Sequence, residues 1–238
     1  SLLTGMQPQD LAPDVITYNA AISACEKGQQ PDRAKSLLPS MQPQVVAPNV
    51  ITYSAAISAC EKGQQSDRAM SLLPGMQPQV VAPDVITYSA AISACEKGQQ
   101  PHTAMSLLTG MQPQDLAPDV ITYNAAISAC EKGQQPDRAK SLLPSMQPQV
   151  VAPNVITYSA AISACEKGQQ PDGAMSLLHS MQPQGVKPNV ITYSAAISAC
   201  EKGQQSDRAM SLLPGMQPQV VAPDVITYSA AISACEKG

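Results

Sequence analysis

The side chains in this 238-residue chain that could do nucleophilic, acid–base or metal chemistry are few, and most recur at one fixed interval. Seven cysteines, Cys25, Cys60, Cys95, Cys130, Cys165, Cys200 and Cys235, stand 35 residues apart and never pair as CxxC. An odd number of singly spaced thiols fits neither a disulfide framework nor a zinc site, so each reads as a small buried apolar residue. The two histidines, His102 and His179, occupy non-equivalent places in the repeat and cannot build a repeated site. No Gly-rich phosphate loop, metal-ligand cluster or nucleophile with its base is present, so the expectation is no catalytic residue, no metal and no cofactor. A net charge of −4, from 14 basic and 18 acidic residues, gives no general attraction to a polyanion. Any nucleic-acid role must use charge placed locally.

What positions such residues is a repeat. The segment VITYxAAISACEKGQQ returns every 35 residues and sets Tyr18, Tyr53, Tyr88, Tyr123, Tyr158, Tyr193 and Tyr228 in register. A strict period of this length means one supersecondary unit per repeat, unable to bury its apolar face alone and completed by its neighbours. Cutting before each VIT gives whole units at 15–49, 50–84, 85–119, 120–154, 155–189 and 190–224, flanked by partial units at 1–14 and 225–238. The expectation is a single array over 1–238, cut from a longer one. Residues 1–65 are identical to 106–170, and 48–98 to 188–238, as duplication within an array would produce. Neither a membrane span nor a secretory signal is legible, so no membrane partner is expected.

Two helices fit in each unit. Tyr18, Ala21, Ile22 and Cys25 fall at i, i+3, i+4 and i+7, one apolar helical face, which predicts a first helix over about Ile16 to Lys27. Asp14 or Thr17 can cap it and Gly28 ends it. Ala34, Leu37, Leu38 and Met41 repeat the template, and Pro31-Asp32 suits the first turn of a second helix. Pro39, like Pro74, Pro144 and Pro214, falls inside that second helix, which is expected to kink or end early there. The fold class expected is all-α, a right-handed α-solenoid of stacked antiparallel helix pairs.

With VITYN opening one helix, A-x-x-LL-x-x-M in the next and Val-x-Pro-Asn/Asp closing the 35-residue unit, the chain resembles the pentatricopeptide repeat family. The resemblance covers the whole chain, and the Trp and Gly-Tyr signature of the 34-residue tetratricopeptide repeat is absent. It implies a single-stranded RNA partner, one nucleotide read per repeat on the face of the first helices, in a chloroplast or mitochondrion, with RNA-processing proteins as further partners. It also implies that the fifth and last residues of each unit read a base. These are Asn19 with Asn49, Ser54 with Asp84, Ser89 with Asp119, Asn124 with Asn154, Ser159 with Asn189, and Ser194 with Asp224. All carry short donor or acceptor side chains, as base-edge reading requires. Under the family's usual correspondence Asn with Asn favours a pyrimidine (Y), Ser with Asn favours A and Ser with Asp favours G, which implies the target 5′-YGGYAG-3′.

Two further rows match the family's binding surface. Ile16, Ile51, Ile86, Ile121, Ile156 and Ile191 hold the second position, where side chains of successive units sandwich a base. Lys27, Lys62, Lys97, Lys132, Lys167 and Lys202 lie two turns beyond the fifth residue, where each could meet a phosphate. Six such contacts imply that log affinity falls against log salt with a slope of roughly −4. The chain departs from the family in its second-helix prolines, its low basic content and its lack of Phe and Trp; its only aromatics are tyrosines on the inward apolar stripe, which leaves none on the binding face for base stacking. The competing reading is a helical-repeat scaffold for protein–protein interaction, since stacked helix pairs also suit peptides.

Overall fold

The computed structural model describes residues 12–216 and 221–237, with the side chains of Pro43 and Lys237 excepted. The partial unit at 1–14 therefore lies outside the described residues except for 12–14, and so does the turn at 217–220. Thirteen α-helices occur among the described residues. The first helices are α1 (Val15–Lys27), α3 (Val50–Lys62), α5 (Val85–Lys97), α7 (Val120–Lys132), α9 (Val155–Lys167), α11 (Val190–Lys202) and α13 (Val225–Lys237). The second helices are α2 (Pro31–Met41), α4 (Ser66–Met76), α6 (Pro101–Met111), α8 (Pro136–Met146), α10 (Pro171–Met181) and α12 (Ser206–Met216). The first helix begins one residue before its predicted start, because Asp14 accepts from the Thr17 amide at 2.8 Å and frees Val15 to enter the helix.

The chain divides into two compact units, Ser1–Pro118 and Asp119–Gly238. In the first, α3 packs on both α1 and α5, and each first helix packs on its own second helix. Helices α2 and α4 also pack on the first helix that follows them. The second unit repeats this scheme over α7 to α13. Both are the stacked helix pairs of an α-solenoid, as the 35-residue period predicts.

The apolar stripes meet between layers. Ile57, Ile92, Met76 and Met111 in the first unit, and Ile127, Ile162, Met146 and Met181 in the second, are fully buried. Each contributes about 1.5–3 kcal/mol by leaving water. Glycine leaves room where a first helix ends beside the preceding unit's second helix: a Cβ on Gly63 would stand 2.5 Å from Pro31 Cγ, and one on Gly203 would overlap the Pro171 ring.

The second helices do not end early. Helices α2, α4, α8 and α12, with proline inside, run the same 11 residues as α6 and α10, which carry Thr109 and His179 there. Pro39 sits in the last turn, where it forgoes only the bond to the Lys35 carbonyl, and both residues stand on an exposed face of the helix. A single 3-10 turn such as Gln42–Gln44 then closes the helix. Among the described residues no helix is long and apolar enough to cross a membrane.

Candidate nucleic-acid interface

A helix places residues i, i+3, i+7 and i+11 on one stripe. On α1 these are Ile16, Asn19, Ser23 and Lys27, and the other whole units repeat the pattern. The isoleucines stand out to solvent: in the first unit Ile16 is 73%, Ile51 58% and Ile86 66% exposed, and in the second Ile121, Ile156 and Ile191 are 59–65% exposed. Ordinary packing between repeats would have buried them, so this row is available to a ligand. Ile226, 66% exposed on α13, extends the row in the second unit and was missed because its repeat is incomplete. The half-buried serines between reader and lysine, Ser23 on α1 and Ser58 on α3, were also passed over, although their i+4 spacing from Asn19 and Ser54 signals them.

Every last-position residue that opens a described helix is its N-cap. Asn49, Asp84, Asn154 and Asn189 each accept from the backbone amide three residues on, at 2.8–3.0 Å, and form capping boxes with that threonine. Asp119 and Asp224 accept in the same way from Thr122 and Thr227, both at 2.8 Å. The hydrogen bonds of Thr227 hold the Asp224 carboxyl below the usual carboxylate range, as those of Thr17 do for Asp14.

The same threonine reaches back to the fifth residue of the preceding unit. Thr52 Oγ1 lies 2.6 Å from Asn19 Oδ1, and Thr157 Oγ1 2.6 Å from Asn124 Oδ1. Thr87 meets the Ser54 hydroxyl at 2.7 Å, Thr192 meets that of Ser159 at 3.0 Å and Thr227 that of Ser194 at 2.7 Å. The fifth and last residues of a unit thus converge on one threonine, and Asn19 Nδ2 also donates to Asn49 Oδ1 at 3.4 Å. Ser89 belongs to the first compact unit and Asp119 to the second. The sequence reading named the threonine only as a possible cap and missed its second partner, which lies 33 residues away.

The lysines are placed less simply than a free basic ladder. Lys62 pairs with Glu26 of the preceding unit at 2.7 Å, and Lys167 with Glu131 and Lys202 with Glu166 at 2.8 Å. Lys27 is exposed at the end of α1, and the Lys97 charge offsets part of the upward push that burial gives the Glu61 carboxyl. The cysteines are buried from Cys60 to Cys200, and burial pushes the Cys95 thiol up to about 12. Among the described residues no group of three or more His, Cys, Asp and Glu side chains is arranged to hold a metal ion.

A family model described as pentatricopeptide repeat domain matches residues 1–63 and 106–167, more than half of the chain, and one described as PPR repeat family matches 153–202. Comparison with curated proteins finds no match. Among solved structures, the pentatricopeptide repeat protein PPR10 from maize matches with a TM-score of 0.71 and 25% identity, over 97% of this chain and 33% of that one. PPR10 in complex with an 18-nt psaJ RNA element matches at 0.60 and 18% identity, over 97% of this chain and 39% of that one. The PPR domain of Arabidopsis thaliana protein-only RNase P 1 in complex with tRNA matches at 0.64 and 14% identity, over 76% of this chain and 95% of that one. The chain spans about a third of the length of the maize protein. Its two-helix period, its stacking and these matches together make the chain a member of the pentatricopeptide repeat family.

Proposed function

We propose that this chain is a single array over 1–238 that binds single-stranded RNA sequence-specifically, one nucleotide per repeat, without catalysis. The observation that carries this reading is the convergence of the fifth and last residues of a unit on one threonine, beside a row of exposed isoleucines. A base edge needs a pair of small polar groups held at fixed separation, and a base face needs an apolar shelf. The solved relatives in complex with psaJ RNA and with tRNA support the class of ligand.

In this reading Asn19/Asn49, Ser54/Asp84, Ser89/Asp119, Asn124/Asn154, Ser159/Asn189 and Ser194/Asp224 read 5′-YGGYAG-3′, the six isoleucines from Ile16 to Ile191 sandwich the bases, and the six lysines from Lys27 to Lys202 approach phosphates. Residence in a chloroplast or mitochondrion and recruitment of RNA-processing proteins follow from family membership as further proposals. The test is binding of the purified chain to labelled YGGYAG RNA, a scrambled RNA and the DNA equivalent. Preference for the first, lost on exchange of the Ser54/Asp84 and Asn19/Asn49 pairs, supports base reading. Equal or absent binding by a chain shown to be helical sinks it in favour of a protein scaffold.

A further inference from the structure

The threonine on which each reading pair converges has one hydroxyl proton, and the structure shows three different demands on it. Thr87 Oγ1 stands 2.7 Å from Asp84 Oδ1, an acceptor with no proton of its own, so the threonine donates there. It accepts from the Asp84 amide at 3.4 Å. The 2.7 Å contact to Ser54 Oγ must then be a donation from serine. Ser54, only 8% exposed, has spent its proton on Thr87 and keeps only lone pairs, and the Asp84 carboxylate has lone pairs alone. The Ser54/Asp84 pair presents acceptors only.

The first unit's other pair has the opposite polarity. Asn49 Oδ1 accepts the Thr52 amide at 3.0 Å, which turns the Asn49 amide nitrogen away as a donor. Thr52 accepts from the Asn49 amide at 3.1 Å and donates over its shortest contact, 2.6 Å to Asn19 Oδ1; Asn19 Nδ2 gives one N–H to Asn49 Oδ1 at 3.4 Å and keeps its other N–H as a donor. Asn124 and Asn154 repeat this through Thr157. At Ser159/Asn189 the two cases mix: Thr192 donates to Asn189 Oδ1 at 2.9 Å and receives from Ser159 at 3.0 Å, leaving one acceptor and one donor. Thr52, Thr87, Thr157 and Thr192 are all fully buried, so water does not compete for the proton.

We propose that the third-position threonine of each unit is the specificity-setting residue for the base read by the unit before it, by directing one hydroxyl proton and so fixing the donor and acceptor pattern the reading pair presents. The Watson–Crick edges match. Guanine offers two adjacent donors, N1–H and N2–H, to the acceptor-only pair. Pyrimidines offer acceptors at O2 and at N3 or O4 to the donor pair, and adenine offers one of each to the mixed pair. The inference rests on the base-reading proposal and adds a residue that touches no base.

The test uses the full chain and the hexamer varied at its second nucleotide, read by Ser54/Asp84. T87V keeps side-chain shape and the backbone amide that caps to Asp84 but removes the proton relay, so Ser54 is free to turn its hydroxyl outward. T87V is expected to lower the preference for G over the other three bases about tenfold, with affinity for the best base changed far less. T87S is expected to restore the preference, which a purely structural loss of methyl packing would not allow. T192V, read at the fifth nucleotide, gives the same measurement in the second compact unit should T87V fail to fold by circular dichroism. D84N reports the base reading itself, by moving the second-nucleotide preference from G to A. If D84N switches the base and T87V or T192V leaves selectivity intact, the threonine assignment is overturned alone. If the parent chain shows no base preference, both proposals are overturned.

Discussion

The hydroxyl of Tyr53 donates to the backbone carbonyl of Gly75 at 2.9 Å, across from the first helix of the unit to the last turn of the second. Gly75 follows Pro74, and the same bond joins Tyr18 to Ser40, Tyr123 to Ser145 and Tyr193 to Gly215, each just after a second-helix proline. The last four carbonyls of a helix have no partner within it, and this bond takes one of them while Val81 N–H takes the next at 3.1 Å. Tyr53→Phe should therefore destabilise by about 1 kcal/mol in urea unfolding. An unchanged midpoint would show that water serves the Gly75 carbonyl as well.

Gly63 and Gly110 should respond in opposite senses to alanine. A Cβ at Gly63 meets Pro31 at 2.5 and 2.9 Å, both in ring atoms that cannot swing aside, whereas one at Gly110 meets nothing within 4 Å. Gly63→Ala is expected to cost about 1–3 kcal/mol through overpacking. Gly110→Ala, inside α6, is expected to gain up to about 1 kcal/mol from helix propensity. Thermal melts of the two variants check both signs.

Val45, Val80 and Val150 follow the 3-10 turns with φ of 57–58°, a region a β-branched residue enters only under strain, and they are 94–95% exposed. The equivalent places hold Asp115 at φ 57° and Gly185 at φ 70°. Val80→Gly should stabilise by about 1 kcal/mol, since it relieves the backbone and forfeits no packing. A lower melting temperature for this variant would contradict the strained turn.

Burial pushes the Cys130 and Cys165 thiols up to about 11 and Cys95 to about 12. A folded-state value above the unfolded one means the unfolded chain loses protons first. Stability is thus undiminished below about pH 9, the ordinary thiol range, and falls as pH rises toward 11–12. Melts from pH 7 to 11 should show this fall, and Cys95→Ala should flatten it. A thiol reagent at neutral pH should modify exposed Cys235 quickly and the buried Cys60, Cys95 and Cys130 only on unfolding.

Lysines already paired with glutamate release fewer counterions on meeting phosphate. With Lys62, Lys167 and Lys202 so paired, the salt slope of RNA binding should be shallower than the roughly −4 expected of six free lysines. Replacing Glu26, Glu131 and Glu166 by glutamine should steepen the slope and tighten binding at low salt. A slope unmoved by these changes would place the lysines away from the phosphates.

The sequence by itself determined the helix pairs, the limits of the first helices to within a residue, the apolar stripe from Tyr18 to Cys25 and the unit length, because each follows from periodicity and capping along one chain segment. Burial of Ile57 beside exposure of Ile51 was legible in part, from helical spacing and the family's pattern. Tertiary structure alone decided three things. Helix α2 runs through Pro39 to Met41 with the proline on its exposed face, which depends on how α2 is turned against its neighbours. Lys62 answers to Glu26 rather than to its chain neighbour Glu61, because stacking sets helices side by side at an offset of 36 residues. Thr87 joins Ser54 to Asp84 for the same reason: a hydrogen bond between units is fixed by the stagger of packed helices, a length that local sequence pattern does not encode.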